Sequence, residues 1–157
     1  DKVIAKGLTV IVGDADGPDR AVQDYLASKR YGKVTVFCMA GECRNNLGNW
    51  PTREIGAGPH ARLDFDYYVA KDRAMSSEAD CGFMLWDGRG TLANIAALLQ
   101  RGKPVLIYLA HGSLFVTLCE PDEFGYLLHG VDPALVQRLA RERPAGRSSR
   151  KPDVPLF

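Results

Sequence analysis

Two glycine-punctuated turns, each following an apolar run, carry the residues of this chain that could do chemistry. The first reads Gly13-Asp14-Ala15-Asp16-Gly17-Pro18-Asp19-Arg20 after Leu8-Thr9-Val10-Ile11-Val12, and the second reads Trp86-Asp87-Gly88-Arg89-Gly90-Thr91 after Cys81-Gly82-Phe83-Met84-Leu85. In each, an apolar strand stops near glycine and a helix starts a few residues later. Backbone N–H groups then converge on one point, and such a point binds anions. Glycine permits close approach of a phosphate because it has no Cβ. Gly13 and Gly17 would provide this at the first turn, and Gly88, Gly90 and Thr91 at the second. Two such turns at the C-terminal ends of neighbouring strands make a cleft suited to a phosphorylated small molecule, most often a nucleotide.

Asp14, Asp16, Asp19, Asp72 and Asp87 cluster near these turns, and carboxylates repel phosphate, so they need another role. They could accept hydrogen bonds from ribose hydroxyls, hold a metal, or act as base or nucleophile toward a sugar carbon. Helix capping is the plain alternative, and it suffices for Asp16; Asp14 and Asp87 are the candidate catalytic carboxylates. Lys71, Arg73 and Arg44 would supply compensating positive charge. Arg44, Asn45, Asn46, Asn49 and Trp50 fall in the polar stretch 41–62. This stretch reads either as a binding loop that holds phosphate and stacks a base, or as an irregular surface connection with one aromatic anchor. Trp86 likewise reads as a base-stacking ring or as core.

The elements that must position these residues alternate. Residues 6–12 form a continuous apolar run, the pattern of a strand covered on both faces. Pro18 stands at a first helical position, and residues 20–29 carry Ala21, Val22, Tyr25 and Leu26 at helical spacing, with Gly32 as the stop. Residues 33–40 are the next strand, completing a βαβ unit. Residues 66–69 read as a short strand, 71–79 as a helix, 81–86 as a strand, 91–101 as a helix capped by Gly102, and 104–109 as a strand. Residues 114–119 read as a short strand, 121–128 and 132–143 as helices, and 144–157 as a mobile basic tail. The expectation is one Rossmann-like three-layer α/β domain over residues 1–143, with a mostly parallel sheet and extra C-terminal helices.

At 157 residues the chain is long enough for one real core, and 46% apolar with 25% charged residues argues against extended disorder. A net charge of +1 lacks the basic excess of a nucleic-acid binder. No apolar run reaches the length of a membrane span and no secretory leader pattern is present, so no membrane partner is expected. Cys38, Cys81 and Cys119 lie in apolar runs and read as small buried hydrophobes, and Cys38 and Cys43 lack the tight ligand spacing of zinc motifs. Neither a metal nor a cofactor is expected. Reduced cysteines fit a cytoplasmic location.

The ordered set Gly13-Asp14-Ala15-Asp16-Gly17-Pro18-Asp19-Arg20-Ala21-Val22-Gln23, Cys43-Arg44-Asn45-Asn46, Asn49-Trp50, Lys71-Asp72-Arg73-Ala74-Met75 and Ala79-Asp80 through Trp86-Asp87-Gly88 with Gly90-Thr91 resembles a small bacterial family in the SLOG superfamily. That superfamily has a Rossmann-like sheet and includes LOG-type phosphoribohydrolases and the DNA-processing protein A domain; nucleoside deoxyribosyltransferases are similar in arrangement. The resemblance spans roughly residues 3–110. It implies binding of a nucleotide or nucleotide-derived ligand through Gly13, Asp14, Gly17, Asp19, Arg44, Asn45, Trp50, Lys71, Asp72, Arg73, Trp86, Asp87, Gly88, Gly90, Thr91 and Asn94. Three departures accompany it. Relatives open with a strand ending in a Gly-Ser-Arg type turn, which nothing before Val3 matches, so part of the pocket is expected in residues that precede those given. The turn from Asp87 to Thr91 is shorter than the relatives' loop. LOG-type hydrolases also carry a glutamate three residues after the threonine, where this chain has Asn94. Asparagine can hold a ribose hydroxyl but cannot act as a carboxylate base or nucleophile.

The expectation is therefore a nucleotide binder. An N-glycoside hydrolase or transferase using Asp87 or Asp14 is the alternative, and an interaction module with a vestigial cleft is a third reading. Homo-oligomers are common among such folds, and the sequence sets no copy number.

Overall fold

The computed structural model describes residues 2–41, 43–56, 65–85, 89–109 and 113–125. The chain is a mixed α/β protein that divides into two compact units, Asp1–Ala79 and Asp80–Phe157, each with its own three-stranded sheet. The helix expected over residues 132–143 and the tail 144–157 lie outside the described residues.

The first unit runs α1 (Lys2–Ala5), β1 (Val10–Val12), α2 (Pro18–Ser28), β2 (Val34–Met39), β3 (Thr52–Ile55) and α3 (Phe65–Glu78). Its sheet has the order β1-β2-β3 and is parallel throughout, with Val12 opposite Val36 and Val36 opposite Thr52. Parallel neighbours require a crossover, and α2 supplies the one between β1 and β2. That helix begins at Pro18, whose fixed φ suits the first helical position. Its Leu26 joins Val12, Val34, Val36 and Trp50 in the core, with Val22 and Tyr31 packed against them. β2 is buried along nearly its whole length, as expected of a central parallel strand covered on both faces.

Several boundaries differ from the sequence expectation. The run over residues 6–12 is split: α1 ends at Gly7, whose φ of 64° turns the chain, and only Val10–Val12 pair as a strand. Residues 66–69 belong to α3 and are not a strand. β3 lies inside the stretch expected to be irregular.

The stop of α2 is Arg30 and not Gly32. Arg30 has φ 52°, its N–H donates to the Ala27 carbonyl at 2.9 Å, and the Tyr31 N–H reaches back to the Leu26 carbonyl at 3.0 Å. The same closing pair of bonds ends α1 at Gly7 and the helix before Gly102, both of which hold positive φ. Only in α2 does a side-chain-bearing residue take the left-handed position that glycine favours. Arg30→Gly should therefore stabilise the chain by about 1 kcal/mol, read as a raised urea midpoint at unchanged slope. A lowered midpoint would mean that the arginine side chain contributes more than its backbone conformation costs.

The second unit runs β4 (Gly82–Leu85), α4 (Arg89–Leu99), β5 (Val105–Leu109), β6 (Leu114–Leu118) and a 3₁₀ turn (Pro121–Phe124). β4 and β5 are parallel, and β6 pairs with β5 antiparallel. α4 buries Ile95, Leu98 and Leu99, and the sheet buries Val105, Ile107, Val116 and Leu118. Gly82 matters here, because a Cβ at that position would stand 2.5 Å from Leu98 Cδ1. The helix expected over residues 121–128 is, in its described part, the 3₁₀ turn, secured by Glu123 Oε2 accepting the Cys119 N–H at 2.6 Å and the Glu120 N–H at 3.1 Å.

Candidate functional site

β1 ends at Val12, and the chain then buries a charged side chain: Asp14 is 1% exposed. Burying an unpaired carboxylate is strongly unfavourable, so its partners matter. Lys71, from the middle of α3 and itself buried, places Nζ 2.5 Å from Asp14 Oδ1. Arg44, from the loop after β2, donates through Nη2 to Oδ1 at 3.1 Å, through Nε to Oδ2 at 3.4 Å and through its backbone N–H to Oδ2 at 3.2 Å. Three segments far apart in sequence thus meet at the C-terminal end of β1. Burial pushes the Asp14 carboxyl up, but the hydrogen bonds from Arg44 and Lys71 outweigh it and hold the carboxyl down at about 2, against an ordinary 3.8. Asp14 is therefore ionised at neutral pH, with two cations against its one carboxylate. The Arg44 side chain stays 38% exposed.

The loop that carries Arg44 is fastened from behind. Gln23 on α2 is fully buried; its Nε2 donates to the carbonyls of Gly13 at 2.7 Å and Asn45 at 3.1 Å, while its Oε1 accepts the Leu47 N–H at 3.0 Å. Asn45 Nδ2 donates to the Asp14 carbonyl at 2.8 Å and to Asp16 Oδ1 at 3.2 Å. Asn45 thus ties the loop to the turn. Sequence reasoning passed over Gln23. Its signal is a polar residue three positions before Leu26, on the apolar side of α2, where an amide is kept only if it is hydrogen-bonded.

The first turn already holds an anion of its own. Asp19 Oδ2 accepts the Ala15 N–H at 3.2 Å, and a Cβ built on Gly13 would collide with that same carboxylate oxygen. Glycine at position 13 thus makes room for Asp19, whereas the sequence reading reserved that room for phosphate. Burial raises the Asp19 carboxyl; the Ala15 N–H and Lys71 pull it down, and Asp72 and Asp14 push it up. Asp72 is half-buried and Arg73 exposed, both on α3 next to Lys71. Gly17 has φ 86° and precedes the helix without a side-chain cap.

No family model, curated protein or solved structure matches this chain. The site therefore stands on its own geometry, which assigns several expected residues a different part. Asp14, a candidate nucleophile from sequence, has each oxygen engaged by two donors and is closed to solvent, so it organises Lys71 and Arg44. Trp50, a candidate base-stacking ring, is 8% exposed and lies in the core, its Nε1 donating to the Tyr31 carbonyl at 2.8 Å. Gly90 and Thr91 fall in the first turn of α4, where Thr91 Oγ1 donates to the Leu85 carbonyl at 3.4 Å, and Asn94 is half-buried one turn further on. Trp86, Asp87 and Gly88 lie outside the described residues.

Among the described residues every buried side-chain nitrogen and oxygen has a hydrogen-bond partner, and no three His, Cys, Asp or Glu side chains are grouped to hold a metal ion. Of the described helices, none is long and apolar enough to cross a membrane. The cysteines are free; Cys38 is buried, Cys43 exposed, and Cys81 and Cys119 half-buried. Burial and a hydrogen bond with Cys43 push the Cys38 thiol up to about 12, which makes it inert as a nucleophile at neutral pH.

Asp14 and Asp19 pull stability in opposite directions as pH falls. Asp14, with its carboxyl lowered from 3.8 to about 2 on folding, contributes stability above pH 3.8 that is lost as pH falls through 2, about 2 kcal/mol in all. Asp19, whose carboxyl is raised on folding, favours the folded chain at acid pH and loses that contribution as pH rises. Urea unfolding from pH 6 to pH 2 should therefore fall more steeply in Asp19→Asn than in the native chain. A shallower fall in the variant would reverse the sign assigned to Asp19.

Proposed function

We propose that this chain binds a nucleotide or a nucleotide-derived small molecule at the C-terminal end of β1, on a Rossmann-like three-layer fold. The observation that carries the reading is the buried Asp14 gripping Lys71 and Arg44 at the carboxyl edge of a parallel sheet. In parallel α/β sheets ligands bind outside the carboxyl ends of the strands. Buried charge clusters are weak devices for stability and are enriched at functional sites. In this reading the ligand's phosphate meets the exposed edge of Arg44; Arg73, two positions after Lys71 on α3, falls on the other side of that helix and takes no part. Asp19 accepts hydrogen bonds from the ligand's hydroxyls. Asp14 is a positioning residue that keeps both cations in place.

The test is native mass spectrometry of the chain with a panel of nucleoside monophosphates, dinucleotides and cyclic nucleotides, alongside Arg44→Ala. Retention of one intact nucleotide by the native chain and at least a tenfold weaker retention by the variant is the expected result. Equal retention by both, or none by the native chain, would overturn the site. Release of a free base and a sugar phosphate would make the chain an N-glycosidase, with its carboxylate elsewhere than Asp14.

A further inference from the structure

Cys38 and Cys43 lie on either side of the turn that leaves β2. Cys38 is the last residue but one of that strand and only 1% exposed. Gly41, with φ 85°, turns the chain just beyond it, and Cys43 stands exposed immediately before Arg44. The turn brings the two sulfurs together: the thiols are hydrogen-bonded to each other. Cys43 also donates its S–H to the Asn45 carbonyl at 3.5 Å, so its sulfur is left to accept from Cys38. One thiol facing solvent with a second in contact behind it is the arrangement of a redox pair, in which the exposed sulfur meets the oxidant and its neighbour resolves it.

We propose that Cys43 and Cys38 form a peroxide-reactive dithiol, which a hydroperoxide closes to an intramolecular disulfide at the end of β2. In the first step the Cys43 sulfur attacks an oxygen of the hydroperoxide. The O–O bond breaks, Cys43 becomes a sulfenic acid, and the other oxygen leaves as water or alcohol with the proton that the Cys43 thiol gave up. In the second step the Cys38 sulfur attacks the Cys43 sulfur; the S–O bond breaks, and hydroxide departs as water with the Cys38 proton. The two thiols lose two electrons and the peroxide gains them. The order of events follows from burial. Cys38 is closed to solvent and held protonated, so the oxidant meets Cys43 first. Cys38 is inert toward outside reagents, yet a thiol held against the sulfenic acid reacts at an effective concentration far above any in solution, and the departing hydroxide takes its proton in the same step. The fold tolerates the closure. Gln23 Nε2 holds the Asn45 carbonyl at 3.1 Å, so the loop keeps its fastening when the weak S–H contact of Cys43 is lost. The new bond ties the Arg44 loop covalently to β2, and the dithiol chemistry holds whether or not a nucleotide binds there.

Peptide mass spectrometry on the full chain tests this. The folded protein is treated with a small excess of hydrogen peroxide, unfolded, alkylated and cut with trypsin; cleavage after Lys33 and Arg44 leaves Cys38 and Cys43 as the cysteines of one peptide, 34–44. That peptide should lose two hydrogens, resist alkylation at both sulfurs and regain both sites after a reductant, while Cys81 and Cys119 are alkylated as before. Cys38→Ala should stop at the first step, with a sulfenic acid at Cys43 that a cyclic 1,3-diketone traps. Cys43→Ser should keep Cys38 reduced at a peroxide dose at least tenfold higher. Cys38→Ser repeats the comparison if the alanine variant does not fold. Sulfinic or sulfonic acid at Cys43 of the native chain, a disulfide from Cys43 to a second copy or to another cysteine, loss of Cys81 and Cys119 at the same dose, or no reaction at Cys43 would each overturn the pair.

Discussion

Asp14→Ala is expected to lose about 3–5 kcal/mol of unfolding free energy at neutral pH. The reason is the group left behind. Lys71 is buried, with its ammonium on Asp14 Oδ1, and removing the carboxylate strands that charge away from water. Arg44 also loses the acceptor of its backbone N–H and of two side-chain donors. Asp14→Ala/Lys71→Met should recover at least half of the loss, because an apolar side chain of similar length needs no counter-charge. Urea unfolding of the two variants measures both. A loss below about 1 kcal/mol in Asp14→Ala would mean that water reaches the Lys71 ammonium, and the cluster would then be a surface ion pair.

Trp50→Ala should cost a similar amount, about 3–5 kcal/mol, with loss of a large core ring and of the bond to the Tyr31 carbonyl. Asn46 frames the residue, accepting the Trp50 N–H at 3.0 Å and donating to its carbonyl at 2.8 Å. Gly48 leaves space for the indole, since a Cβ there would fall on the ring itself. The variant separates two roles of the tryptophan. A core residue loses stability whether or not nucleotide is present, whereas a stacking platform would keep its melting temperature and lose the ligand. Unchanged urea stability together with abolished nucleotide retention would return Trp50 to the binding surface.

How much of this was legible in the sequence depended on burial. β2 and β5 read correctly because buried strands are continuous apolar runs, and α2 because Pro18 and the spacing of Val22 and Leu26 mark a helix with one wet face. β3 escaped notice because Thr-Arg-Glu-Ile is exposed at three of its four positions, so no period of two is written into it. The start of α3 misled for the opposite reason: Phe-Asp-Tyr-Tyr-Val is rich in strand-favouring types, and tertiary context overrides that preference. In the site, Asp14, Arg44 and Lys71 were each legible as charged residues near a turn. That they satisfy one another was not, because the pairing joins positions up to 57 residues apart. Asp19 shows the same limit: a glycine followed by acidic residues reads as an anion cradle, and only the fold reveals that one of those acids lies in it.

Gln23 and Asn45 tie residues 44–47 to the turn after β1 through protein hydrogen bonds alone. The entropy of ordering this loop is therefore met during folding and not during recognition. A ligand arriving at Arg44 would find the loop already in its final shape, and association would be limited by collision and orientation rather than by loop closure. The Leu47 amide, held by the Gln23 side chain, should exchange with solvent only when α2 itself opens. The loop is in this sense an extension of the helix behind it, although fifteen residues, 29–43, separate them along the chain.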